Sequence, residues 1–89
     1  MRTIPINFTS SATILAGPGV LDGFYVNSTS SGVIRLWNNT TNSGEPITGS
    51  ITPAIGSHNL FGLEGTVAIH VEIISGTINA TFLVRDMDL

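Results

Sequence analysis

The chain contains no cysteine and no lysine, and only nine of its 89 residues carry a formal charge. Without cysteine, no disulfide can staple the fold. Two histidines, His58 and His70, and six carboxylates are scattered along the chain, too dispersed in sequence to read as a metal cage. The three arginines, Arg2, Arg35 and Arg85, form no basic run, and the net charge is −3. The electrostatic footprint of a nucleic-acid binder is therefore missing. No apolar run approaches the roughly 20 residues that span a bilayer. The segment from Met1 to Asn7 lacks the apolar stretch of a secretory signal, so synthesis in the cytoplasm and no membrane partner are expected. The Asn-X-Ser/Thr sequons at Asn7, Asn27, Asn38, Asn39 and Asn79 are then products of composition.

What is present is a polar, turn-rich background. Ser, Thr, Asn and Gly fill 37 positions, interleaved with short Ile/Val-rich runs, and the mean hydropathy is still positive at +0.36. A chain of 89 residues is expected to form one domain over 1–89. Its core must be thin, and small domains compensate with disulfides, metals or self-association. Self-association is the route left open, and it would also cover the surplus apolar surface.

Strand patterns dominate and no window carries a helical stripe. The alternation predicts strands near 4–9, 12–16, 21–27, 33–38, 47–52, 58–61, 66–73 and 77–85. Gly17-Pro18-Gly19, 28–32, 39–46, 53–57, 62–65 and Ser75-Gly76 read as the separating turns. The clearest unit is a hairpin about Ser75-Gly76, pairing Ile73 with Ile78, Val71 with Ala80 and Ile69 with Phe82. A second hairpin joins 24–27 to 33–38, whose later strand is apolar on both faces: Ile34 and Leu36 on one, Val33 and Trp37 on the other. The expected fold is all-β: a small antiparallel β-sandwich, jelly-roll-like, with about eight short strands. Residues 1–10 read as an N-terminal arm and 86–89 as a short tail.

No set of residues points to catalysis. His70 and Glu72 share one strand face, which a solvated or interface strand explains better than a two-ligand site. His58 follows Gly56-Ser57 at a strand start and reads as a loop or interface residue. The carboxylates at 22, 45, 64, 72, 86 and 88 form no pair of the glycosidase kind, and no serine sits in a G-x-S-x-G elbow. Gly17-Pro18-Gly19 has no following lysine or helix and is a turn rather than a phosphate loop. Neither an enzymatic activity nor a cofactor is expected. Tyr25, Trp37 and Phe61 could make an aromatic platform for sugar, although core or interface packing is the commoner use of such rings.

The run Ala16-Gly17-Pro18-Gly19-Val20-Leu21-Asp22-Gly23-Phe24-Tyr25-Val26 carries a resemblance. It continues through Ser31-Gly32-Val33-Ile34-Arg35-Leu36-Trp37-Asn38-Asn39-Thr40, then Gly44, Ile47 and Gly49. It closes on Ser75-Gly76-Thr77-Ile78-Asn79-Ala80-Thr81-Phe82, so that the match spans roughly residues 12 to 84. This layout resembles small β-rich virion structural proteins of tailed bacteriophages. The resemblance implies a capsid decoration (cement) protein, usually trimeric, located on the capsid surface and bridging neighbouring major capsid protein subunits. Its partners would be itself and the major capsid protein. Under that expectation the interface residues are Ile4, Ile6 and Phe8 of the arm, the aromatics Tyr25, Trp37 and Phe61, and Arg35 as a rim hydrogen-bonder. Two rivals remain: a tail, neck or fibre component of the virion, and a carbohydrate-binding module for host surface glycans.

Overall fold

The computed structural model describes residues 3–86. It is all-β, with five antiparallel strands: β1 (Thr3–Phe8), β2 (Ala12–Leu15), β3 (Gly19–Trp37), β4 (Gly56–Gly65) and β5 (Ile69–Asp86). The sheet order is β1-β5-β3-β4, and β2 pairs with β5 on the edge it shares with β1. The expected strand count of about eight gives way to five among the described residues. Two pairs of expected short strands are each one long strand. The segment at 47–52 forms isolated bridges only, Ile34 to Ile51 and, just before it, Trp37 to Pro46. Pro46, Gly49 and Pro53 break any regular ladder there. Ile47 and Ile51 still pack against the core, and Ile51 exchanges backbone hydrogen bonds of 2.8 and 2.9 Å with Ile34.

The expected hairpin at Ser75-Gly76 is also corrected. Its two arms are consecutive parts of β5, which runs straight through. Ile73 pairs with Ile34, Val71 with Leu36, Ala80 with Val26, and Phe82 with Phe24. The second expected hairpin, about 28–32, is likewise the middle of β3. The sequence does contain the signal that suggested turns: inward positions change from odd (Ile69, Val71) to even (Ile78, Ala80, Phe82, Val84). A two-residue reversal would produce that phase change, and so does an irregularity inside a strand. Here register shifts fall at Val26/Ser28, Ser30/Ser31 and Val33/Ile34, beside the left-handed residues Ser31 (φ 54°) and Gly76 (φ 71°).

The length of the β3–β5 ribbon requires it to bend. A regular strand of 19 residues would extend about 60 Å at about 3.3 Å per residue, whereas the longest dimension of the molecule is 37 Å. The irregular, mostly exposed stretch at 27–32 is where the ribbon can turn. One buried cluster takes side chains from both ends of both strands: Leu21, Phe24, Val26, Phe82 and Val84 from one half, Ile34, Leu36, Ile69 and Val71 from the other. Across it runs a row of rings. Phe8 lies 5.3 Å from Phe82, Phe82 stacks on Phe24 at 4.8 Å, and Phe24 stacks on His58 at 4.8 Å. The row therefore reaches from edge strand β1 to edge strand β4.

The expected arm is, over Thr3–Phe8, edge strand β1, paired to β5 from Thr3–Arg85 to Phe8–Ala80. Ile4 and Ile6 are half-buried against the core, and Phe8 is 4% exposed within it. Phe8 is thus corrected from an interface residue to a core residue, because the alternation of β1 and its pairing turn that ring inward. Pro5 interrupts the free side of this edge, a common protection against strand-to-strand aggregation. The tail expected at 86–89 lies, beyond the backbone of residue 86, outside the described residues.

Candidate functional site

The expected aromatic and charged residues divide between three places. Trp37 and Arg35 lie near the end of β3, on the side facing away from Ile34 and Leu36. Trp37 Nε1 donates to Glu72 Oε1 at 3.0 Å, and the Arg35 guanidinium sits 4.7 Å from the Trp37 ring centroid. Arg35 Nε also donates to the Thr48 carbonyl at 3.2 Å, and Asn42 Nδ2 donates to Glu72 Oε2 at 2.9 Å. These bonds fasten the 39–48 segment to the sheet. Trp37 and Arg35 are therefore committed inside the chain, and both are half-buried.

His70 and Glu72 lie opposite Trp37 and Arg35, not across a hairpin from Asn79 and Thr81. Thr13 Oγ1 donates to the Thr40 carbonyl at 2.8 Å, so its 3.1 Å contact with His70 Nδ1 places the proton on that nitrogen. Among the described residues no group of three or more His, Cys, Asp or Glu gathers as a metal cage would require.

The Glu72 carboxyl is held below its ordinary value of 4.5, first by the Asn42 hydrogen bond, then by that of Trp37, with the Arg35 and His70 charges adding to them. A depressed carboxyl contributes stability above the unfolded-state value and loses it as pH falls through the folded value. Emission from Trp37, the sole tryptophan, should therefore change with a midpoint below pH 4.5 as the 39–48 segment loosens. Glu72→Gln should abolish that transition, because an amide oxygen still accepts from Trp37 but does not titrate. An unaltered acid transition in the variant would show that another group controls it.

The second place is the β4 edge. β4 runs opposite β3 from Gly65–Gly19 to Gly56–Val26, but the register jumps between Leu63–Leu21 and Asn59–Gly23. Three residues, Leu60 to Gly62, thus face the single residue Asp22, and the strand bulges outward. Phe61 sits at the tip with φ 55°, followed by Gly62 at φ 76°, and its side chain is 88% exposed. Its amide donates to Asn59 Oδ1 at 2.7 Å, which closes the bulge.

The third place is the outward face of the β5–β3–β4 region. Tyr25, half-exposed, neighbours Thr81 and Ser57 across the strands, while Gly23 lies between Leu83 and Asn59. A Cβ on Gly23 would overlap the His58 carbonyl oxygen, so backbone alone fits there. The result is an open cleft of about 400 Å³ whose lining includes Tyr25, Ser57, His58, Asn59, Asp22 and Leu83. A second, more apolar cleft of about 390 Å³ adjoins it around His58 and Asn59, reaching Ile51, Pro53 and Leu60. Asp22 is held by Arg85, whose Nε and Nη2 approach it at 2.8–3.1 Å, and by Thr3 Oγ1 at 3.2 Å. Beside the cleft, Asn7 and Asn27 both donate to Asn79 Oδ1, at 2.9 and 3.1 Å.

Tyr25, Trp37 and Phe61 therefore do not share a platform. The cleft was not foreseen from the sequence. Its one legible trace is Asp22-Gly23, where a glycine interrupts an apolar strand and marks close backbone approach. No family model matches the chain, and neither the curated proteins nor the solved structures include a match.

Proposed function

We propose that this protein is a non-enzymatic structural component of a tailed-bacteriophage virion. Its most specific form is a capsid decoration protein that self-associates, as a trimer, and bridges major capsid protein subunits. In this reading the bent β3–β5 ribbon is a folded-over β-sandwich of the jelly-roll kind. Arg35 and Trp37 stiffen it from within, and Phe61, with half-buried Ile4 and Ile6, supplies contact surface.

The observation that carries the reading is Phe61. An L-residue in the left-handed region costs about 1–2 kcal/mol relative to glycine, and an 88%-exposed ring recovers little of that from its own chain. Such strain persists where the position serves something other than folding, and a buried aromatic anchor at a protein contact is a common use. Phe61→Gly is expected to stabilise the isolated subunit by about 1 kcal/mol in urea unfolding while weakening self-association at least tenfold. Sedimentation equilibrium of the two proteins checks both effects. A wild-type chain that remains monomeric at about 100 μM, on the order of 5 kcal/mol of association, would remove the self-assembly half of the proposal. Quantitative mass spectrometry of purified particles tests the other half. A copy number comparable to that of the major capsid protein supports decoration, whereas a few copies per particle would move the chain to the tail or neck.

A further inference from the structure

The cleft beside Tyr25 has the surface chemistry of a small-ligand site, independently of the assembly reading. Its volume of about 400 Å³ lies near the small end of ligand sites, which run from about 300 to 1,000 Å³. Its floor has no side chain, because β4 backbone occupies the space a Cβ on Gly23 would need. One wall is the half-exposed Tyr25 ring and another is the partly exposed Leu83. The polar groups are fixed before any ligand arrives. Asn59 Oδ1 accepts from the Phe61 amide at 2.7 Å, leaving the Nδ2 donors free among the described residues. His58 Nε2 lies 2.7 Å from the Ala54 carbonyl, which makes that nitrogen the protonated one. Asp22 and Arg85 pair at 2.8 Å, so their charges cancel at the cleft rim, and with Thr3 Oγ1 also donating at 3.2 Å the carboxylate serves as a neutralised wall rather than a free acceptor.

An aromatic wall, an amide held in place by its own backbone contact, a neighbouring serine hydroxyl and no net charge together match a neutral, hydroxyl-bearing ligand. A pyranose presents apolar C–H faces and hydroxyl edges, and carries no charge. We propose that the cleft formed by Tyr25, Ser57, Asn59, Asp22 and Leu83 binds a single neutral hexopyranose unit. Tyr25 stacks on its C–H face, and Asn59 and Ser57 hydrogen-bond its hydroxyls. Fixed polar groups lower the ordering cost of binding, but so small and open a site gives weak affinity, with Kd on the order of 1 mM.

Saturation-transfer difference NMR tests this with the methyl glycosides of glucose, galactose, mannose and N-acetylglucosamine, with the charged sugar N-acetylneuraminic acid and glycerol as controls. At least one glycoside should show ring-proton transfer while glycerol shows none. Tyr25→Ala and Asn59→Ala should each weaken binding about tenfold, equivalent to about 1.4 kcal/mol. Unchanged Trp37 fluorescence confirms that the variants remain folded. Absence of transfer from all four glycosides, or equal transfer in Tyr25→Ala, would overturn the assignment. Transfer confined to N-acetylneuraminic acid would overturn the neutral class.

Discussion

Gly76→Ala is expected to destabilise the fold by about 3 kcal/mol or more, although residue 76 is exposed and far from the ring row. Two costs combine. The left-handed backbone at φ 71° penalises any Cβ by about 1–2 kcal/mol. A Cβ at this position would also overlap the Ser31 carbonyl oxygen and crowd that of Ser30, the latter at 2.7 Å. Those atoms are backbone of the paired strand, so relief requires moving β3 at the place where the ribbon bends. Overpacking of this kind costs a further 1–3 kcal/mol, sometimes more. In a free hairpin turn, which Ser75-Gly76 resembles in sequence, only the conformational cost of about 1–2 kcal/mol would apply. Urea unfolding of the variant thus separates the two topologies. A loss of only about 1–2 kcal/mol would return Ser75-Gly76 to a turn and break β5 in two.

Phe82→Ala should have an effect of similar or larger size, about 3–5 kcal/mol. Phe82 is fully buried and stands between Phe8 and Phe24, at 5.3 and 4.8 Å, in the row that ends on His58. Truncation leaves a cavity between the Phe8 and Phe24 rings, and Phe24 and the facing Ile6 are held in strands paired to β5, so collapse is restricted. It also removes two ring contacts, each about 0.5–1.5 kcal/mol beyond area burial. Domains of this size are stable by about 5–15 kcal/mol in total. The melting temperature should therefore fall by about 12–40 °C, from about 4–8 °C per kcal/mol. Phe82→Leu should lose much less, because most of the volume is kept. A Phe82→Ala protein melting within a few degrees of wild type would mean that the ring row is not the centre of the core.

Several features were legible without coordinates. The all-β class followed from period-two alternation and the lack of any helical stripe, and the starts of β1, β2 and β3 fell within two residues of expectation. Ile34 and Leu36 were read as one face and Val33 and Trp37 as the other, which matches their burial. Phe8 illustrates a limit, because whether an apolar N-terminal run pairs at home or reaches a neighbour depends on a partner strand 72 positions away, at Ala80.

The sequence by itself determined which residues alternate, where the alternation changes phase, and where glycine and polar residues loosen the backbone. These are local properties, set by side-chain chemistry and by the φ range each residue tolerates. Only the tertiary structure decided what each loosened stretch does. At Gly17-Pro18 and 39–46 the chain leaves the sheet. At 28–32, 62–65 and Ser75-Gly76 the strands continue, with bends or irregularities nearby. A reversal and a bulge shift the inward face equally, so local pattern cannot distinguish them. What distinguishes them is pairing: β3 and β5 register with each other from Gly19–Asp86 to Trp37–His70, and that long ladder outweighs two short hairpins. The Tyr25 cleft and the exposed Phe61 arise from the same source. Both depend on how β4 backbone crosses Gly23 and bulges past Asp22, a contact between segments about 37 residues apart.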